Sequence, residues 1–309
     1  MPARTGSRCW SPGAEVATAE SGGAATVSVV VPTRDRPQDL ARCLGSLALQ
    51  DPPPLEVIVA DDGSRDPRAV TDAVAHCPGA RCLRLEGAGP AAARNAGAEA
   101  ARGDVICFTD DDCEPEPDWA AALGAAATRS GIAAGRTVTP PGAAAPARAT
   151  QAIIDHLGEW AGRTGSPSPG FAPTCNLGVR IDLLRSHPFD DSFPAAAGED
   201  REWSARLAAA GVKPERVPGA VAVHNIGGGL RTFAQRQFRY GRGSARFRTS
   251  AGGRGPLAFY LSLLREGFSR GAGAGVLVAA AQVIGACGAA FEALRRAAAG
   301  RRGPRPGSR

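Results

Sequence analysis

Residues 104–115 read DVICFTDDDCEP, in which the apolar run Val105-Ile106-Cys107-Phe108 leads directly into three consecutive aspartates, Asp110, Asp111 and Asp112. A short run rich in apolar and β-branched residues, closed by polar ones, predicts a buried strand. Carboxylates held close together at its end repel by roughly 4 kcal/mol per pair at an effective dielectric near 20, so something positive belongs there. Spacing of one residue lets Asp110 and Asp112 point to the same side of an extended backbone, which suits a hard divalent cation with oxygen ligands. Taken alone, the triplet reads more readily as an acidic, solvated loop.

The sequence upstream decides between these readings. It alternates VSVVV (27–31), PQDLARCLGSLALQ (37–50), LEVIVA (55–60), DPRAVTDAVAHC (66–77), RCLRLE (81–86) and PAAARNAGAEAA (90–101) before reaching DVICFT. Short apolar runs separated by periodic segments of about a dozen residues indicate βαβ units and a mostly parallel sheet buried on both faces. Pro37, Pro67 and Pro90 stand at first helical positions, Asp66 can cap the helix it precedes, and Val70, Ala73, Val74 and Cys77 form one apolar stripe. In open α/β sheets, ligands bind beyond the carboxyl ends of the strands. There the chain places Pro32-Thr33-Arg34-Asp35-Arg36, then Asp61-Asp62-Gly63-Ser64, then the triplet. Three polar loops on one edge favour a nucleotide or phosphate site with a cation. No GxGxxG follows the first strand and no GxxxxGK[ST] occurs, so dinucleotide oxidoreductases and P-loop nucleotidases lose their main support.

Downstream, DWAAALGAAATRS (118–130) predicts a helix and GIAAGRTVT (131–139) a strand, followed by a Pro/Ala/Gly-rich connection near 140–150 that reads as a seam. FAPTCNLGVRI (171–181) precedes FDDSFPAAAGEDREWSARLAAAG (189–211), whose last part is helical: Trp203 and Leu207 lie four apart and Gly211 can end it. Glu199 and Asp200 then fall in the first turn, where the helix dipole favours the ionised form and suits either a cap or a proton acceptor.

The net charge of +6 hides a division: residues 1–230 carry 21 Lys+Arg against 28 Asp+Glu, whereas 231–309 carry 15 Arg against 2 Glu. A basic end of this kind can face nucleic acid, anionic lipid or a pyrophosphate. Residues 1–25 are small, polar and Gly/Pro-punctuated, and read as a disordered leader without the apolar core of a signal peptide. The eight cysteines lack paired ligand spacing, so thiols in a reducing cytoplasm fit, with no zinc site or disulfide framework suggested.

From Val27 to about residue 247 the chain resembles glycosyltransferase family 2, the inverting enzymes of GT-A fold. VSVVVPTRDRPQDLARCLGSL resembles the opening strand and helix, VIVADDGSRD the uracil- and ribose-contacting loop, and AAARNAGAEAARGDVICFTDDDCEP the segment ending in the DxD motif. CNLGVRIDLL is similar to the acceptor-side strand, and GEDREWSARLAAAG to the segment with the catalytic base. The resemblance implies an α/β GT-A domain over 26–250, with 26–139 the donor half and 140–250 the acceptor half. It implies that Asp61 bonds the donor's base, with Pro32, Thr33, Arg34 and Asp62 as neighbouring nucleotide contacts and Arg94 approaching the diphosphate. Asp110 and Asp112 match the outer DxD positions that hold Mg2+ or Mn2+ on the phosphates, and Asp111 the less constrained middle. Asp200 matches the base, and His224, in VAVHNIGG, a histidine that completes the cation site in some members. The implied activity is metal-dependent, inverting, non-processive transfer from a nucleotide sugar, with a UDP-sugar favoured, to an unidentified hydroxyl. A sugar-nucleotide-binding protein without transferase activity, or a nucleic-acid-binding protein acting through its basic end, are the alternatives; no nucleic acid is expected.

Residues 231–248 interleave six arginines with Phe233, Phe238, Tyr240 and Phe247, fitting a basic helix over the site or on a membrane. Gln235-Arg236-Gln237-Phe238-Arg239-Tyr240 only loosely resembles the QxxRW motif of processive members, which speaks against a polymerising synthase. Residues 251–298 read as a helical hairpin and 299–309 as a basic disordered tail. The uncharged stretch 271–291 holds eight Ala and five Gly, a poor insertion signal, so packing on the enzyme or lying on a membrane is expected over a true span. The location expected is cytoplasmic, with peripheral contact at the inner membrane face through the basic end.

Overall fold

The computed structural model describes residues 25–164, 171–193, 198–251 and 256–300; the expected leader and most of the expected tail lie outside them. Among the described residues, one sheet contains β1 (Val27–Thr33), β2 (Glu56–Asp61), β3 (Ala80–Arg84), β4 (Val105–Thr109), β5 (Cys113–Pro115), β6 (Ile132–Val138), β7 (Asn176–Arg180) and β8 (Glu215–His224). Their order is β3-β2-β1-β4-β7-β6-β8-β5. The first four strands are parallel neighbours, as βαβ units require. Beyond β4 the rule changes: β7 runs antiparallel to both β4 and β6, and β8 pairs parallel with β6 and antiparallel with β5. The sheet is therefore mixed rather than mostly parallel along its whole width.

Alternation along the strands assigns the two faces. Val29, Val31, Val57, Val59, Val105 and Cys107 point to one core, closed by α1 (Pro37–Leu47), α2 (Pro67–Ala75) and α4 (Trp119–Ser130). Val30, Ile58, Ile106 and Phe108 point to the other, beneath α3 (Pro90–Glu99), α6 (Ile181–Ser186) and α7 (Glu199–Ala209). Each fully buried aliphatic or aromatic side chain contributes about 1.5–3 kcal/mol relative to exposure. Gly97 sets the approach of α3, because a Cβ there would lie 2.5 Å from Val30 Cγ1. Pro37, Pro67 and Pro90 do open their helices, and the Asp66 carboxylate accepts from the Arg68 and Ala69 amides at 3.1 and 3.2 Å. Burial on both faces fails at β3, a mostly exposed edge strand whose Arg81 and Arg84 discourage further pairing.

The connection expected near 140–150 is shorter than that. α5 (Ala145–Thr164) begins at Ala145, with Pro146 tolerated in its first turn and Ala147, Ala149 and Ala152 buried on its inner side. Small residues that read as a linker are here good helix formers packed against neighbours. The C-terminal helices are α8 (Leu230–Ala251), α9 (Leu257–Ser269) and α10 (Ala272–Gly300). Ala149 and Ala152 of α5, Phe233 of α8, Leu263 of α9 and Ala274, Val278 and Ala281 of α10 form a third, separate core.

Candidate active site

The ends of β1, β2 and β4 meet at one edge, and hydrogen bonds tie their loops together. Thr33, the last residue of β1, donates its hydroxyl to Asp111 Oδ2 at 2.8 Å. One guanidinium nitrogen of Arg36 lies 3.0 Å from both Asp111 Oδ1 and Asp112 Oδ2. The triplet is therefore differentiated. The Asp111 side chain is 5% exposed against 32% for Asp110 and 14% for Asp112, so the middle residue is the most constrained of the three. Burial pushes Asp111 up to about 7 against the opposing charge of Arg36. Burial also raises Asp112, but its hydrogen bond to His224 and the charges of His224 and Arg36 outweigh it and hold Asp112 at about 2.

The β2 loop is built from within. Asp61 accepts the Ser64 amide at 2.9 Å on one oxygen and pairs with the Arg84 guanidinium on the other, and Arg84 also donates to the Ser64 carbonyl at 2.8 Å. Its side chain is fully enclosed. Asp61 anchors the loop, where the resemblance expects a contact to a base. Asp62 accepts the Gly89 amide at 3.1 Å, with half-exposed Arg34 at 3.5 Å, and Pro32 lies partly buried on β1.

Arg94, on α3, joins the two halves. Its Nη2 donates to Asp110 Oδ1 at 2.8 Å and its Nη1 to Glu199 Oε1 at 3.1 Å, linking the end of β4 to the start of α7. Burial disfavours its charge, but Asp110 and Glu199 outweigh burial and hold the guanidinium above its ordinary range. Arg94 Nε and Glu199 Oε2 are buried without a hydrogen-bond partner. Asp200 is next to Glu199 and accepts the Arg201 amide at 2.8 Å. Burial first, and then the charge of Glu199, raise Asp200 to about 7 while Arg94 opposes them. A carboxylate with that value can both lose and accept a proton near neutrality.

His224 ends β8 directly across the ladder from Cys113. Its Nε2 lies 3.5 Å from Asp112 Oδ1 and its Nδ1 3.2 Å from Gln151 Oε1. Burial lowers its pKa, yet the bond to Asp112 and that carboxylate's charge prevail and raise it to about 9. Two sets of side chains could hold a cation. Asp112, with His224 at 3.5 Å, and Asp110 would make a hard, oxygen-rich set that suits Mg2+ or Mn2+, though here Asp110 is turned onto Arg94 and the three do not close into one cluster. Cys113, Cys175 and His224 are buried with one potential ligand atom each within 4.8 Å of the others, a soft set that cysteine spacing alone does not reveal. His224 belongs to both, and must lose a proton before ligating in either.

Sequence reasoning brought Thr33, Arg34, Asp62, Arg94, the triplet, Asp200 and His224 to one region. Arg36 and Glu199 lie inside segments it singled out, but it gave them no specific role at the site. α8, expected as a basic helix over the site or on a membrane, comes near the site: the charge of Arg236 helps lower Asp112, and burial, followed by the charges of Asp200 and Asp110, raises the partly buried Tyr240.

A mixed sheet of this order, with an acidic triplet at the end of its fourth strand and a poised carboxylate on a facing helix, defines the GT-A class of fold. Residues 28–178 match the family described as Glycosyl transferase family 2 and form a domain of that family. It is 30% identical over 228 residues to the pre-mycofactocin glycosyltransferase of Mycobacterium tuberculosis, covering 71% of this chain and 47% of that one. The chain thus spans about half the length of that relative. With glycosyltransferase AglE of Haloferax volcanii it is 27% identical over 230 residues, covering 70% of this chain and 72% of that one. The mannosyltransferase PcManGT from Pyrobaculum calidifontis, solved with GDP-Man and Mn2+, shares the fold at TM-score 0.54 and 21% identity, over 90% of this chain and 81% of that one.

Proposed function

We propose that this protein is a metal-dependent, inverting glycosyltransferase that moves a sugar from a nucleoside diphosphate sugar to a hydroxyl acceptor. The observation that carries this is the Arg94 bridge, which holds the cation-type carboxylate Asp110 and the base helix together at 2.8 and 3.1 Å. The residues present fit a divalent cation: Asp110 and Asp112 would hold it, with His224 in its neutral form. When bound, Mg2+ or Mn2+ supplies positive charge to the departing diphosphate. Asp200 takes the proton from the acceptor hydroxyl as that oxygen attacks the anomeric carbon from the face opposite the leaving group, and inversion follows. Glu199 raises the basicity of Asp200, and Arg94, enclosed between two carboxylates, orients both. The donor is proposed as a nucleoside diphosphate sugar without choice of base. A cytoplasmic setting remains part of this reading, supported by the buried free thiols of Cys43, Cys77, Cys107, Cys113 and Cys175.

The test is Asp200→Asn, assayed with a panel of sugar nucleotides and Mn2+. Transfer should fall by about 10²–10⁴, the usual contribution of a positioned base. The Tm increase on adding donor and Mn2+ should persist. Unchanged turnover would move the base elsewhere.

A further inference from the structure

The outward side of the C-terminal hairpin is apolar and uncovered. Val276, Val283, Phe291 and Leu294 of α10 are 61%, 65%, 49% and 72% exposed, and Leu261 and Phe268 of α9 are 58% and 52% exposed. Val276, Val283 and Leu294 recur after two and five helical turns, so they form one stripe along α10. No charged residue interrupts the sequence from Gly271 to Phe291. By length and composition alone α10 could cross a membrane: an 18-residue window within Ala272–Ala298 has a mean hydropathy of 1.9, and 28% of that window is buried.

The inner side of α10 excludes a span in this packing. A Cβ on Gly288 would lie 2.2 Å from the Phe238 carbonyl of α8, so the two backbones touch. Glu292 is fully buried and pairs with Arg242 and Arg246 of α8 at 3.0 and 3.2 Å. Arg295 and Arg296 approach the same carboxylate at 2.7 and 3.6 Å. Four guanidiniums thus gather on one acid beside Phe291 and Leu294, in a segment, 231–309, that carries 15 Arg against 2 Glu. An apolar stripe with a cationic border matches the acyl boundary and phosphate headgroups of an anionic bilayer. Two copies of the same cationic border would repel one another, which disfavours a second chain as the cover.

We propose that the outward face of α9 and α10 docks in the plane of an anionic membrane surface while the inner face of α10 stays on α8. Because α8 also presents Arg236 and Tyr240 to the site, docking holds the catalytic edge at a fixed attitude to the bilayer. The docking does not depend on the transfer reaction and stands or falls separately from it.

The test is co-sedimentation of the full chain with vesicles of equal parts phosphatidylglycerol and phosphatidylcholine, against phosphatidylcholine alone. Binding should be at least about tenfold tighter to the anionic vesicles and should weaken with added salt. The double variant Val283→Glu/Leu294→Glu, at exposed positions, should lose about tenfold or more of that affinity while keeping its melting temperature. The proposal is overturned by absence of binding, by equal binding to neutral vesicles, or by a double variant that binds as the parent does. It is also overturned if light scattering finds a dimer that the double variant dissolves while the parent ignores vesicles.

Discussion

The two sides of the sheet are built by different rules. β1 pairs with β2 and β2 with β3 through helices of about ten residues, and β4 returns to pair with β1, so every pairing on this side is parallel. From β5 onward strand direction varies: Cys113 pairs antiparallel with His224, and β7 inserts antiparallel between β4 and β6. The first side supplies a rigid row of strand ends; the second brings in the groups that do chemistry there. Asp110, Asp111 and Asp112 sit at the junction, and Arg94 fastens the junction to α7 through Glu199. A parallel scaffold and a mixed-direction closure therefore meet at a single buried guanidinium.

Breaking that fastening should have the largest effect on stability. Arg94→Met leaves Glu199 buried without its cation and frees Asp110, and loss of one partner of a buried pair costs about 3–5 kcal/mol. Chemical denaturation should register that loss together with a fall in transfer; a stable, active variant would show that the two sides hold together without the bridge.

A pH series sharpens the comparison further. Asp200 is raised from an ordinary value of 3.8 to about 7, so the folded state binds its proton more tightly than the unfolded chain. On this group's account stability is greatest below the unfolded value and declines as pH rises through about 7. Asp200→Asn should therefore gain Tm relative to the parent at pH 8 but not near pH 4. In the parent, kcat should fall as pH drops below about 7, where the base becomes protonated. A flat profile across that range would detach the chemistry from the second side.

The smallest effect is expected within the parallel half. Thr33→Val removes the 2.8 Å bond to Asp111 and should cost about 1 kcal/mol in urea unfolding. A far larger loss would make the β1 loop as dependent on the triplet as α7 is on Arg94.

What could be read from the sequence follows the same division. VSVVV, LEVIVA and DVICFT are short runs between prolines and caps, so periodicity alone located β1, β2 and β4 and the polar loops at their ends. The start of α5 was hidden because alanines and a proline look like a linker until neighbours bury them. Asp61 was legible as a loop residue, but its enclosure depends on Arg84, which belongs to the next strand. Glu199 was legible only as a first-turn acid beside Asp200. Its meaning comes from Arg94, 105 residues earlier, and no spacing rule connects positions that far apart. The grouping of Cys113, Cys175 and His224 is equally invisible, since two remote strands and a loop assemble it.

The inward turn of Asp111 onto Thr33 and Arg36 makes the triplet sensitive to phase as well as to composition. Deleting one residue just before Asp110, or inserting one there, would leave three acids in the chain yet change which of them faces inward. The enclosed carboxylate and the two more open ones would trade places, and Arg94 would meet the wrong partner. Natural variation in this turn should then favour replacement over changes of length, in the way a reading frame tolerates a changed letter better than a lost one.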